Sequence, residues 1–323
     1  MEKIGEFDFI RQYLLQSQPA DPEMVLGIGD DAAIIRPRLG YDLCFSSDML
    51  LGGRHFFHDV APADLAHKIL AVNISDIAAM GARPRWVLLS AGLPVLEPAW
   101  LSAFSGSLFA VAKQFGVTLI GGDTTRGDWA FNVTIVGELP QGQALRRSGA
   151  KVGDDIWVSG QVGLAAAALR VHLGNLDLPD DVQEACDAAL LRPIPRVQLG
   201  QGLLPLAHAA MDVSDGLAQD LGHMLTASGV GAVVQVDAVP TLPVLRRLMP
   251  SEQLRALQLS GGDDYELLFT APVGARDAIE ALAREGGVGV SRIGQIVAGS
   301  GLRLLDAEQQ PVYLEKAGFD HFG

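Results

Sequence analysis

The chain is poor in cysteine: of its 323 residues only Cys44 and Cys186 carry a thiol. Two cysteines cannot build a disulfide framework, and these two show no metal-ligand spacing, so both are expected to be reduced and buried. Basic residues are scarce as well, 24 Lys and Arg against 38 Asp and Glu, which gives a formal net charge of −14. Such a surface lacks the basic stripe that neutralises nucleic-acid phosphates, and a nucleic-acid partner is excluded. Long apolar runs are missing too. The stretch from Trp86 to Leu101 is interrupted by Pro94, Glu97 and Pro98, well short of the roughly twenty uninterrupted residues of a membrane span. The opening Met-Glu-Lys-Ile-Gly-Glu-Phe-Asp is acidic where an export signal is basic and then apolar, so a cytoplasmic location, away from any membrane, is expected.

Several nucleotide and catalytic signatures are also absent. No Gly-x-x-x-x-Gly-Lys-Ser/Thr loop occurs, and neither protein-kinase nor serine-hydrolase motifs are present. Gly27-Ile-Gly-Asp-Asp-Ala32 is a loose dinucleotide fingerprint, but its aspartates would repel a pyrophosphate and a strand rather than a helix follows. Asp212-Val-Ser-Asp-Gly216 lacks the alternating ligand spacing of a calcium hand.

What is present is ample core material, 49% hydrophobic against 19% charged, and a length that favours two domains. The polar, aperiodic stretch from Pro140 to Gly153 places the boundary near Lys151, giving domains 1–150 and 151–323. Ile4, Phe7, Ile10 and Leu14 have helical spacing. Val25–Leu26 and Ala32–Ile35 read as extended segments around an Asp30-Asp31 turn, and Tyr41–Phe45 as a strand ending at Ser46-Ser47-Asp48. Asp64 is placed as the cap of a helix reaching Met80, on which Leu65, Ile69, Val72 and Asp76 share a face. A second helix runs from Pro98 to a Gly116 cap, and Val117–Ile120 forms a strand ending at Gly121-Gly-Asp123. Phe131–Val136 and Ile156–Ser159 are further strands, with Asp154-Asp155 expected as a solvated turn. Gly163–His172 and Leu217–Ala227 are helices, and Gly231–Val236 is a strand. Strands and helices thus alternate in an α/β pattern.

The distinctive feature is a set of aspartates beside glycine or serine: Asp30, Asp31, Asp48, Asp76, Asp123, Asp212, Asp215, Asp263 and Asp264. Two unit charges about 4 Å apart interact by roughly 4 kcal/mol at the effective dielectric of a protein surface, so gathered carboxylates need counter-ions. Magnesium takes carboxylate, hydroxyl and water oxygens and shares its remaining positions with substrate phosphates. Glycine turns let phosphate oxygens approach the backbone. Each aspartate also has an ordinary explanation as a turn or cap residue, Asp215 as the cap of the helix starting near Gly216 for example. Asp76, a carboxylate in an apolar helical stripe, requires a partner or a pocket.

In order and spacing, Gly27-Ile-Gly-Asp-Asp-Ala32, Ser47-Asp-Met-Leu50 with Gly53-Arg-His-Phe56, Asn73-Ile-Ser-Asp-Ile-Ala-Ala-Met-Gly81, Gly121-Gly-Asp-Thr124, Asp212-Val-Ser-Asp-Gly216 and Gly261-Gly-Asp-Asp-Tyr-Glu266 resemble the thiamine-monophosphate kinase family. That family lies within the ATP-binding superfamily of aminoimidazole ribonucleotide synthetase. The resemblance implies a two-domain aminoimidazole ribonucleotide synthetase-like fold with mixed sheets, an N-terminal sheet at a homodimer interface, and magnesium-bound ATP in the cleft. It implies magnesium ligands at Asp30, Ser46, Ser47, Asp48, Asp76, Asp123, Asp212 and Asp215, with Asp48, Asp76 and Asp123 the most critical. It puts Gly122, Asp123, Arg147 and Ser214 near ATP, and His55, Asp263 and Phe319 facing thiamine monophosphate. The chain departs from the family in having Asp263 where glutamate is common and Phe319 where tryptophan often stands. Without the resemblance, His55 would read as a packed strand-end residue, Phe319 as a core aromatic and Arg147 as a solvated charge. The acceptor that the resemblance implies is a phosphomonoester with a second pKa near 6, largely ionised at neutral pH, so direct transfer from ATP is expected to need no general base.

Overall fold

The computed structural model describes residue 8 and residues 10–15, 21–316 and 318–319. The chain divides into two compact units, one of residues 1–77 and 82–143, the other of residues 78–81 and 144–323. The division near residue 143 falls within the polar stretch that marks the boundary in the sequence. Of the first expected helix, Ile4 and Phe7 lie outside the described residues, and Ile10–Leu14 form a π-helical turn.

The first unit begins with β1 (Met24–Leu26) and β2 (Ile34–Ile35), paired antiparallel with Asp30 and Asp31 in the connection. Next come β3 (Tyr41–Leu51), α1 (Pro62–Ala79), β4 (Arg83–Leu93), α2 (Pro98–Phe115), β5 (Thr118–Arg126) and β6 (Ala130–Pro140). Four of these strands make a mixed sheet in the order β3-β6-β4-β5, parallel only between β4 and β5. Leu65, Ile69 and Val72 of α1 are all buried, as their spacing requires. Asp64 lies in the first turn of α1, which starts at Pro62, and so is not its cap. α2 ends as the sequence predicts: Gly116 adopts φ 67° and its amide bonds the carbonyls of Ala112 and Lys113.

Two strand boundaries differ from expectation. β3 continues past Phe45 to Leu51, and β5 continues past Ile120 to Arg126, so Ser46, Ser47, Asp48 and Asp123 lie within strands rather than at their ends. The polar residues of β3 are carried by an unbroken ladder along β6. The two glycines of β5 sit just beyond a bulge where the register against β4 shifts between Val87 and Leu88.

The second unit runs β7 (Asp155–Ser159), α3 (Leu164–His172), α4 (Asp180–Leu191), α5 (Val197–Leu203), β8 (Ala209–Asp212), α6 (Leu217–Ser228) and β9 (Gly231–Gln235). It continues with α7 (Leu245–Leu248), α8 (Ser251–Ser260), β10 (Leu267–Ala271), α9 (Arg276–Glu285), β11 (Val290–Val297) and β12 (Gly301–Leu305). Its sheet has the order β12-β9-β11-β7-β10-β8, antiparallel except for β12 with β9. Both faces are covered: Ile156 and Val158 of β7 join a core with Met211, Leu221 and Met224, while Trp157 joins another with Phe269 and Ile279. Asp154 and Asp155 are not a solvated turn. Asp154 is 3% and Asp155 2% exposed, the latter held by Arg276 and Arg292.

Candidate active site

Alternation along β3 sorts its polar residues onto two faces. Ser46 and Asp48 are half-buried, whereas Phe45, Ser47 and Met49 are exposed. The Ser46 hydroxyl donates to Asp76 Oδ2 on α1, which gives the carboxylate in the apolar stripe its partner. The Asp48 amide donates to Asn73 Oδ1 at 3.1 Å, and the Asn73 side chain donates to the Ile69 carbonyl at 2.9 Å. Asn73 is completely buried and ties β3 to α1 beside both aspartates. Ser46, Asp48 and Asp76 thus share one neighbourhood. The Ser47 hydroxyl is elsewhere, 3.0 Å from Thr134 Oγ1 and accepting from Asn132 at 3.1 Å, so it can join them only through its main chain.

Asp123 lies on β5, the opposite edge strand, and pairs with Ser90 of β4. Three strand spacings separate it from Asp48, roughly 14 Å. Gly122 beside it has φ 151°, and a Cβ there would stand 1.8 Å from the Leu89 carbonyl oxygen, so the strand can pass this point only as glycine. Asp30 is exposed and its Oδ1 accepts the Asp31 amide at 2.9 Å, bracing the turn. His55 follows β3 and accepts the Leu51 amide at Nδ1, 3.0 Å away. In the neutral ring the proton then resides on Nε2.

In the second unit the segments Asp212–Gly216 and Gly261–Glu266 extend the pairing of β8 with β10. The amides of Asp263 and Tyr265 donate to the carbonyls of Ser214 and Val213, both at 2.8 Å. A Cβ on Gly262 would meet the Ser214 carbonyl at 2.4 Å, so the close lacing depends on that glycine. Asp263 and Tyr265 adopt φ 66° and 50°, left-handed conformations that cost side chains energy and that cluster at functional sites. The Tyr265 hydroxyl bonds Asp263 Oδ1 at 3.0 Å. Phe319 joins the same loops: its amide donates to the Asp215 carbonyl at 2.9 Å and its carbonyl accepts from Gln219 at 2.9 Å. It is 41% exposed, so it is no core aromatic. Asp212, Ser214, Asp215, Asp263 and Phe319 are therefore gathered in one place. Arg147 is not with them. Ser228, at the far end of α6, donates to its carbonyl at 3.1 Å, and a helix of 12 residues is about 18 Å long.

The helix start after this loop is organised by a residue that the motif reading passes over. α6 begins after Gly216 with no side-chain cap, so Asp215 is not its cap. Instead Asp220 Oδ2 accepts the amides of Ser214, Asp215 and Gly216 at 3.0, 3.2 and 3.2 Å. Burial and the Asp215 charge push its carboxyl up to about 7 against the pull of those amides. An acid in the first turn of a glycine-led helix was the available signal. Beside it, burial pushes the Asp264 carboxyl well above the usual range while its oxygens accept the Gly163 amide. Glu266, 5% exposed, forms a forked ion pair with Arg196 and accepts from Ser159; it carries the loop rather than facing a ligand.

Among the described residues no group of three or more His, Cys, Asp or Glu is placed to hold a metal ion. The donors that do gather, Ser46, Asp48 and Asp76, are all hard oxygens. That set suits magnesium, which takes one or two carboxylates and completes its shell with water and phosphate, better than an ion needing a protein cage.

Residues 29–139 match the N-terminal domain, and residues 151–307 the C-terminal domain, of AIR synthase related proteins, which defines the class of this two-unit fold. Within that class, the thiamine-monophosphate kinase of Salmonella typhimurium LT2 is 44% identical over 324 residues, covering 98% of each chain. The chain belongs to the thiamine-monophosphate kinase family. Among solved structures, the thiamine-monophosphate kinase of Stenotrophomonas maltophilia K279a is 46% identical with a TM-score of 0.85, covering 92% of this chain and 94% of its own. AaThiL, complexed with AMPPCP and TMP, is 27% identical with a TM-score of 0.74 over 99% of this chain and 97% of its own. No described helix is long and apolar enough to cross a membrane.

Proposed function

We propose that the chain transfers the terminal phosphoryl group of ATP directly onto the phosphate of thiamine monophosphate, yielding thiamine diphosphate, with magnesium held by its aspartates. The observation that carries this reading is full-length membership of a kinase family whose relative AaThiL was solved with AMPPCP and TMP. The acceptor phosphate is largely dianionic at neutral pH, so the residues need only align two anions and offset their charge. No general base is assigned. Bound magnesium, which the aspartates would hold, would supply that offset of charge.

In the N-terminal domain, 1–150, we assign Ser46, Asp48 and Asp76 to one magnesium neighbourhood, Asp30 and Asp123 to further contacts, and Gly122 to close approach of ATP. The main-chain carbonyl of Ser47 belongs with the first group. His55 would face thiamine monophosphate. In the C-terminal domain, 151–323, Asp212 and Asp215 hold metal, Ser214 meets ATP, and Asp263 and Phe319 face thiamine monophosphate. Arg147 reaches ATP from the other end of α6 only if the nucleotide extends along it. The protein works in the cytoplasm as a homodimer joined through its N-terminal sheet.

Purified protein with magnesium, ATP and thiamine monophosphate should form ADP and thiamine diphosphate in equal amounts, with free thiamine a poor acceptor; ADP without thiamine diphosphate would overturn the reading. Asp48→Asn and Asp123→Asn should each lower turnover by on the order of a hundredfold or more, as loss of transition-state charge stabilisation does, with an unchanged circular-dichroism spectrum. Unchanged turnover would remove that residue from the site.

A further inference from the structure

The second unit carries a side-chain triad that the kinase reading does not use. Asp154, 3% exposed, presents both carboxylate oxygens 2.9 Å from His208 Nδ1. On the other side of the ring, His208 Nε2 lies 3.2 Å from Lys151 Nζ. The array is braced by its own main chain: the Lys151 amide donates to Asp154 Oδ2 at 2.8 Å, and the His208 amide donates to the Thr270 carbonyl at 2.8 Å. The lysine is exposed.

The donors and acceptors fix the roles. A carboxylate can only accept, so Nδ1 carries the proton and Nε2 presents its lone pair. The lysine amine, which donates, points at that lone pair. Nucleophile, base and orienting carboxylate in hydrogen-bond sequence are the signature of an activated nucleophile. We propose that Lys151 is a self-activated acylation site that reacts with small anionic acyl donors of the acyl-phosphate class. The neighbouring Arg146 and Arg147, both exposed, make this stretch locally basic within a chain of net charge −14, which favours an anionic donor over a neutral one.

In the reaction, the Lys151 ammonium gives one proton to His208 Nε2, and the freed lone pair attacks the acyl carbonyl carbon. The C–N bond forms as the C–O bond to phosphorus-bound oxygen breaks. Phosphate leaves with the electron pair and takes the second amine proton, while His208 returns its proton to water. An amide and inorganic phosphate result, with no redox change.

The lysines of the sequence are Lys3, Lys68, Lys113, Lys151 and Lys316, few enough to follow singly. The full-length protein is incubated with acetyl phosphate and the rate at each lysine is read by mass spectrometry. Lys151 should acetylate faster than exposed Lys113 by on the order of tenfold or more, the lower range of what a positioned base contributes. His208→Gln should bring Lys151 down to the Lys113 rate and leave Lys113 unchanged. Asp154→Asn, which can hold the ring in the other tautomer, should slow Lys151 as well. Equal rates at Lys151 and Lys113 in the unaltered protein, or no slowing in a folded His208→Gln protein, would overturn the proposal. If His208→Gln does not fold, the ratio in the unaltered protein decides.

Discussion

Asp220 braces the loop from Ser214 to Gly216 that leads into α6. One of its oxygens accepts three consecutive amides, so its loss would leave three donors at the start of α6 unpaired. Asp220→Ala should lower stability by about 2–3 kcal/mol and reduce kinase activity, read by thermal melting and by turnover. Asp220→Asn keeps an accepting oxygen and removes a charge that burial and Asp215 disfavour, so its melting temperature at pH 8 should stay close to that of the parent. Equal losses in both variants would show that the charge, not the acceptor, shapes the loop. The two thiols make a contrasting case. Burial pushes Cys44 and Cys186 up to about 11, above the usual thiol value, so both stay protonated at pH 7.5 and gain thiolate only as pH rises towards that value. Cys186 is fully buried and Cys44 half-buried. Iodoacetamide should therefore label the native protein slowly at pH 7.5 and the unfolded protein quickly, with Cys44 the first to react.

At the scale of the element, β5 depends on one glycine. Gly122→Ala would drive a methyl group to 1.8 Å from the Leu89 oxygen, and the left-handed φ adds strain, a combined cost of about 3 kcal/mol or more. Low solubility or a strongly depressed melting temperature is the expected outcome; a wild-type melt would mean β5 and β4 can part locally. Local signals account for much of what the sequence revealed. The Pro98 to Gly116 helix was legible because its start, buried stripe and C-terminal glycine all agree. β4 was not legible as a strand. It lies inside the sheet between β6 and β5, and its exposed Leu88 is as apolar as the buried Trp86, Val87 and Leu89 around it, so no change of polarity marks the strand's alternation. The reverse error shortened β3, since Ser46-Ser47-Asp48 looks like a turn until its eleven-residue ladder with β6 is seen. The aspartates of the motifs were legible, but Asn73 and Asp220 were not. Their importance lies in bonds to backbone amides, which no side-chain pattern announces.

At the scale of the whole molecule, the first unit leaves an apolar surface on its sheet. β1, β2 and Ala33 just before β2 pack over Trp86, Ile120 and Val136, with Met24 and Ile35 as the strands' contacts, but Phe45, Met49, Leu51 and Leu88 remain 65%, 56%, 39% and 39% exposed. Phe45, Met49 and Leu51 alternate on one face of β3, and Leu88 shares that face through Thr134, which pairs with both Leu88 and Ser47. Exposed apolar side chains grouped on one face, here with Ser47 and Thr134 among them, mark an association surface, and the proposed homodimer would cover it with its own copy. Each copy also brings a net charge of −14, so association works against long-range repulsion. Salt screens charges beyond a Debye length of about 8 Å at physiological ionic strength but leaves apolar contact intact. The dimer should therefore tighten as sodium chloride is raised from low to physiological concentration, as read by sedimentation velocity at micromolar protein. Phe45→Asp, which puts a charge at the most exposed point of the face, should give a folded monomer at every salt concentration. A parent protein that sediments as a monomer throughout, or a Phe45→Asp protein that dimerises as the parent does, would move the interface off this sheet.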